Sequence, residues 1–448
     1  MIIAIIWACT ISCGILLFQK SAGTLNPCKI NIVSLSFYFI MIQTVLGAVL
    51  TSLGYTRHYT YTRLIEPDKY AHMGVIYAIL TMVLFPMVSF IFMKIARVNP
   101  AQEYSQYLKK MTIVEYSKRY YGIIFSATVF CSIFLIILLH KIGYIPIVEL
   151  LFNKKMDFST ERSQNVAMVI AGREQVKNIF ILYGIPVLSY IAFSFVLATK
   201  EIKWKILFLL LLLESIIVKT YDFSKAPLIL YLLILVLILI YSRGEIDYKV
   251  AAITGSGGIG LLVIAYRLLG YSKSFFDIYN GILGRTIFTQ FGTLCMHLEG
   301  FSQYIDFLHG RSLYPTVLRL IGLDPNSHIR SSQIIMDLYN PEGVYSGNAG
   351  VMNTLFVGEA YANWGHVGAI FSIIWVAVII SAVFVLFLKL KKTPISIAFY
   401  AVMTQQLACC IQGGFVDFIY NVNIIMTILL LIILQFLPRI WKSIDAFK

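Results

Sequence analysis

The densest chemistry in the chain lies in Gly358-Glu359-Ala360-Tyr361-Ala362-Asn363-Trp364-Gly365-His366-Val367-Gly368. If this stretch is helical, Glu359, Asn363 and His366 stand at i, i+4 and i+7 and share one face. A polar row entering an apolar helix is costly in lipid unless it lines a cavity. Glu359 is therefore the candidate general base, able to take a proton from an attacking hydroxyl. Tyr361, Asn363 and His366 are its candidate supports. The competing reading is a carboxylate favoured by the dipole at a helix start, with Asn363 packing one helix against another.

Cations stand in three further places. One is segment 141–178, where Glu161-Arg162 and Gly172-Arg173 flank the apolar run 166–171. The second is the turn 219–227, with Lys219, Asp222 and Lys225, and the third is the set Arg267, Arg285, Arg311, Arg319 and Arg330. A guanidinium stays charged in a partly dry site and grips phosphate oxygens with two parallel N–H groups. Arg285, just after Gly284, is the best placed of the five. The alternative for each is a solvated loop arginine. Glu214, inside an apolar run, should face a protein interior, as a partner for Lys219 or as a functional group.

Other motifs exclude chemistry. No H-E-x-x-H, D-x-D or His/Cys cluster is present, so no metal and no cofactor are expected. Gly255-Ser256-Gly257-Gly258-Ile259-Gly260 fits G-x-G-x-x-G but lies in an apolar run without a preceding strand. Its glycines are expected to let helices approach closely. Of the seven cysteines, five lie in expected spans and Cys28 in an inner loop, which leaves Cys295 alone on the outer side, so no external disulfide can form within one chain.

The elements that must position these residues are membrane helices. Hydrophobic residues make up 59% of the 448 and charged residues 13%, outside soluble norms. The apolar residues fall into runs long enough to cross a bilayer, and in lipid such runs must be helical. The expected spans are 2–18, 30–52, 72–93, 120–140, 179–198, 206–219, 227–241, 250–269, 366–388, 395–412 and 421–437. The first lacks a basic flank and a cleavage site, so it reads as a span and not as a signal peptide. The fold class is thus all-α, a polytopic integral membrane protein with about eleven transmembrane helices and a large late external loop.

With the N-terminus outside, the inner loops hold 19 of the 36 basic residues in 70 positions, which sets the C-terminus in the cytoplasm. The net charge of +14 is then topogenic and does not point to nucleic acid. The organisation expected is an N-terminal bundle over 1–270, an external loop over 271–351 and C-terminal spans over 352–448. Within the loop, Ile287, Phe291, Leu294, Leu298, Phe301, Ile305 and Leu308 recur at helical spacing. They predict an amphipathic helix lying as a lid at the membrane surface.

In layout, and in the segment Gly358 to Gly368, the chain resembles the bacterial oligosaccharide repeat-unit polymerases of O-antigen and related surface polysaccharides. The Ser224-Lys225-Ala226-Pro227 turn and the loop bearing Arg162 and Arg173 resemble theirs more weakly. These families often have twelve spans with both ends inside, and eleven are counted here. The related O-antigen ligases carry a His-Asn pair in the late loop; here Ile329 follows His328 and no such pair occurs.

The resemblance implies a metal-independent glycosyltransferase at the outer face of a bacterial inner membrane, acting in lipopolysaccharide or capsule biosynthesis. It would move a growing glycan from undecaprenyl pyrophosphate onto a new lipid-linked repeat unit, with inversion. Glu359 would be the base, and Arg162, Arg173, Lys225 and Arg285 would hold the pyrophosphate. Partners would be the lipid-linked oligosaccharide, membrane lipid and a chain-length regulator. The alternatives are a lipid-linked oligosaccharide flippase and an O-antigen ligase. A flippase should show charges near the midplane and two related halves; here the polar residues gather on one side.

Overall fold

The computed structural model describes residues 2–152, 158–170, 178–224, 226–268, 276–346 and 349–446. Among them every regular element is a helix. In chain order the principal helices are α1 (Ile2–Ala22), α2 (Ile32–Ser52), α3 (Pro67–Ile95), α4 (Pro100–Lys109), α5 (Ser117–Ile142) and α6 (Phe158–Ile170). They continue with α7 (Phe180–Thr199), α8 (Ile202–Thr220), α9 (Ala226–Arg243), α10 (Tyr248–Leu268) and α11 (Ile282–Glu299). The last four are α12 (Ser331–Tyr339), α13 (Phe356–Lys389), α14 (Pro394–Gly413) and α15 (Val422–Ala446).

Each of the eleven expected spans is a helix, and nine helices among the described residues are long and apolar enough to cross a membrane. The other two expected spans are α8 and α10. The chain is therefore an all-α, multi-pass membrane protein. Helices α8 and α9, 19 and 18 residues long, are fuller than the 14- and 15-residue runs suggest. The extra first turn of α8 carries Lys203 and Lys205, and Lys203 pairs with Glu201 at 2.8 Å.

Local signals set the ends. Pro67, Pro100 and Pro394 occupy first-turn positions, where a missing N–H costs nothing. Asn31 with Ser34, and Thr393 with Ser396, form reciprocal caps on α2 and α14. Helix α14 is the centre of the bundle, buried along nearly its whole length against α2, α7, α9, α13 and α15. Outward faces of α5, α8 and α15 expose Ile136, Ile206 and Ile433, which suits contact with acyl chains.

Three expectations change. The predicted lid runs from Ile282 only to Glu299 and then widens into a π turn, Gly300–Tyr304, so Ile305 and Leu308 lie beyond it. Every residue from Phe291 to Glu299 is buried, against α2, α3 and α13. Its amphipathic period serves packing in the bundle, and Cys295 lies there too, beside Gly74. The glycines of α10 make no close helix contact: nothing within 4 Å would meet a Cβ at Gly255, Gly257, Gly258 or Gly260. Glu214 is not paired with Lys219. It accepts from Ser132 Oγ at 2.7 Å, while Lys219 Nζ donates to Leu182 O at 3.4 Å.

Candidate functional site

The site starts from a break in α13. Trp364 and Gly365 leave helical geometry, Gly365 at φ +61°, ψ −149°, a conformation open essentially to glycine. The carbonyls stranded before the break are taken up by the chain crossing beneath it. Leu308 N donates to Ala362 O at 2.9 Å, and His309 N donates to Asn363 O at 3.0 Å. Asn363 splices both segments: its Nδ2 donates to Glu359 O at 2.8 Å, and its Oδ1 accepts from Gly310 N at 3.1 Å. The amide is thus fully used in holding the break.

The break also rotates His366 off the face shared by Glu359 and Asn363. The imidazole Nδ1 meets Tyr77 OH at 2.6 Å, and its ring packs edge-on against Tyr361 at 5.3 Å. The expected three-residue row is therefore two sites. His366 and Tyr361 face α3, and Glu359 faces the connection between α14 and α15.

Glu359 is 2% exposed. Its Oε2 accepts from Val416 N at 3.0 Å. Its Oε1 lies 2.9 Å from Arg330 Nε, yet neither atom completes a hydrogen bond among the described residues. The contact is one of charge, and that oxygen retains accepting capacity. Arg330 Nη2 donates to Gly413 O at 3.0 Å, and Nη1 contacts Asp417 Oδ1 at 3.3 Å. Tyr314 OH reaches the same Asp417 oxygen at 3.4 Å, and its ring lies under the guanidinium, 5.8 Å from centroid to Cζ. Burial works against the Arg330 charge, but Glu359 and Asp417 more than offset it, so its pKa stands above the ordinary arginine value.

The close fit depends on Gly414. It sits at φ +131°, and a Cβ there would lie 2.1 Å from Glu359 Oε2 and 3.0 Å from Arg330 Nη2. The Gly413-Gly414 step ends α14 and lets the turn Phe415–Phe418 present Val416 N to the carboxylate.

On the other side of this turn lies a cavity of about 670 Å³ between α7, α8, α9 and α14. Its polar lining includes Lys219, Asp222, Gln405, Gln406, Asp417 and Asn421, on otherwise apolar walls. That size and mixture suit a small-molecule or headgroup site. Gly413 and Asp417 line it, so Arg330 grips two residues of its wall. Helix α6 docks at the rim: Asn165 Nδ2 donates to Tyr221 O at 2.8 Å, and Phe158 packs on Phe223 at 5.0 Å. Arg162, on α6, is exposed and acts electrostatically on Tyr221, which lines the cavity.

Of the sequence candidates, Arg162 stands near this cavity through Tyr221, whereas Glu359 does not line it and lies behind its wall, next to Arg330, which holds Gly413 and Asp417. Arg285 stands apart: its charge acts on His58, on the other side of the bundle core, and it lines no part of this cavity. Arg173 and Lys225 lie outside the described residues. The residues that sequence reading missed are Arg330, one of five similar arginines, and Asp417. The signal for Asp417 was a carboxylate three residues after a Gly-Gly step between two apolar runs. Among the described residues no cluster of His, Cys, Asp and Glu has the makings of a metal site. No family model, curated protein or solved structure matches the chain.

Proposed function

We propose that the protein is a membrane glycosyltransferase. It joins lipid-linked oligosaccharide repeat units at the outer face of a bacterial inner membrane, with polyprenyl pyrophosphate as the leaving group. The observation that carries this reading is the buried Glu359–Arg330–Asp417 cluster, which borders a polar cavity between apolar helices through Asp417. A pyrophosphate-linked donor needs no metal in principle if fixed cations take up the departing charge. Lys219 supplies one in the cavity lining, Arg330 another behind Gly413 and Asp417 of its wall, and Arg162 stands at the rim.

In the reaction, an acceptor hydroxyl oxygen bonds to the anomeric carbon of the donor as the carbon–oxygen bond to pyrophosphate breaks. The hydroxyl proton passes to Glu359 Oε1, and the polyprenyl pyrophosphate leaves with the bonding pair. Donor binding gives Arg330 phosphate oxygens in place of the poorly aligned Glu359 contact, which frees the carboxylate as a base when both substrates are present. The apolar walls keep water from competing for the donor. Lipid is the surrounding medium, and a chain-length regulator remains a proposed partner from the resemblance alone.

Deletion in the native host, followed by gel analysis of the surface glycan, tests the assignment. A polymerase loss leaves a single repeat unit on the final acceptor. Loss of a flippase or a ligase removes that product as well, and that result would overturn the proposal.

A further inference from the structure

At the end of the bundle opposite Glu359, helices α1, α3 and α9 finish together, and α4 lies across α1, α9 and α13. The chain leaving α1 touches the first turn of α4 backbone to backbone. Gly23, at φ +77°, leaves room for this, since a Cβ would lie 2.5 Å from Ala101 N. Two cavities flank this contact and share Gly23 and Ala101.

The two differ in chemistry. The first, about 640 Å³, opens along Leu16 and Phe90 past Val98, with Lys20 at its edge. Leu16 is 61% exposed on the outer face of α1, and Lys94 Nζ sits 4.6 Å over the Phe90 ring. The second, about 390 Å³, is polar: Thr24, Lys29, Ser105, Lys109, Arg243 and Glu245 line it. Lys29 is held by Glu245 at 2.5 Å. Lys20, Lys109 and Arg243 make no ion pair among the described residues, and all three are exposed. Four cations against one carboxylate thus line two hollows on either side of the Gly23–Ala101 contact. Topogenic charge alone needs no hollow, and like charges converging without an anion repel one another.

We propose that this pair of cavities is a binding site for a glycerophospholipid with an anionic headgroup, taken from the inner leaflet. An acyl chain lies along Leu16 and Phe90, where the groove is apolar and open to the bilayer. The phosphate reaches Lys20, Lys109 and Arg243, and the hydroxyls of Thr24 and Ser105 serve the polar part of the headgroup. A basic hollow at the ends of membrane helices, adjacent to an apolar groove across the Gly23–Ala101 contact, matches an amphiphile that straddles this contact in both charge and shape.

The test uses the full-length protein in neutral detergent and native mass spectrometry. The wild type is titrated with dioleoylphosphatidylglycerol, with dioleoylphosphatidylcholine, and with sodium phosphate alone. Phosphatidylglycerol should bind in preference to phosphatidylcholine, and K109Q/R243Q should weaken that binding about thirtyfold, from roughly fivefold per basic residue removed. K200Q/K205Q removes two cations from the same end of the bundle, at the α7–α8 junction, and should leave binding unchanged. Lys20→Gln, at an exposed helical position, gives a smaller loss and serves if the double variant does not fold. Equal binding of the two lipids, or equal losses in the two double variants, would overturn the site. Phosphate alone competing fully at millimolar concentration would overturn its assignment to a lipid.

Discussion

Replacing Glu359 by Gln separates chemistry from architecture. The amide keeps an oxygen to accept from Val416 N, the 3.0 Å bond of the wild type, but sets an NH2 group toward the Arg330 guanidinium. Breaking a buried ion pair outright costs about 3–5 kcal/mol. Here Arg330 keeps Asp417 at 3.3 Å and Gly413 O at 3.0 Å, so about 2 kcal/mol is expected, below that range because those partners remain. E359Q/R330Q also takes the guanidinium from Asp417 and Gly413 O, so it should be less stable than E359Q. Transfer should behave differently. Loss of a general base lowers the rate by about 10²–10⁴, roughly 2.7–5.4 kcal/mol on the barrier at 1.36 kcal/mol per decade. The double variant should stay as inactive as E359Q. The assay is single-turnover transfer between purified lipid-linked repeat units, normalised to monodisperse protein and set beside melting midpoints. Glu359→Asp should keep measurable activity, since it retains the carboxylate. A near wild-type rate in E359Q, with only a lowered melting midpoint, would show that the carboxylate is structural and refute the assignment.

Two other perturbations bear on the same region and on the core. Gly414→Ala adds a Cβ against Glu359 Oε2 at a backbone conformation that disfavours side chains. It should cut transfer by about 10² through displacement of the carboxylate, whereas Gly255→Ala, with open space around it, should be neutral; equal activity in both variants would count against the geometry. His58 is held neutral, its pKa lowered to about 4 by burial and by Arg285. The unfolded chain takes up that proton near the ordinary value of about 6.5, so the neutral form contributes full stability above that pH and loses it as pH falls toward 4. Melting midpoints from pH 7 to pH 5 should therefore drop more steeply for the wild type than for His58→Gln, and parallel curves would contradict this.

The helices were legible because spanning runs leave few alternatives: a backbone in lipid must bond within its own segment. What stayed hidden was decided between segments. The spacing of Glu359, Asn363 and His366 assumes an unbroken helix, and Gly365 at positive φ removes that premise. Glycine in an apolar run reads the same whether it breaks a helix, faces open space as at Gly257, or admits a neighbour as at Gly47 against Ile287 O. Arg330 has no local mark that separates it from Arg311 or Arg319, because its partners Glu359 and Asp417 are distant in sequence. The period of Phe291 to Leu298 was read correctly as a helix. It could not tell a membrane surface from a protein neighbour, since both present apolar contact.

The cluster does double duty, and this bears on what it is for. Two helices are interrupted side by side, α13 at Trp364–Gly365 and α14 at Gly413–Gly414, and each interruption strands backbone groups in a medium without water. Such irregular backbone survives in a membrane protein only when it is buried in protein or lines a cavity. Asn363 serves the first interruption, and Glu359 and Arg330 serve the second through Val416 N and Gly413 O. Capping alone would not require charges, because a neutral amide accepts from an N–H, as Asn363 does from Gly310. Burying Glu359, Arg330 and Asp417 together instead incurs a desolvation cost that apolar packing of similar volume would avoid. The Arg330–Glu359 contact does not recover that cost through good alignment, since Oε1 and Nε complete no hydrogen bond among the described residues. Two carboxylates around one guanidinium leave a net negative charge, and Lys219 lines the adjoining cavity. That excess of charge over structural need favours a cluster kept for a substrate, as the proposed exchange of the poorly aligned Glu359 contact for a phosphate at Arg330 requires.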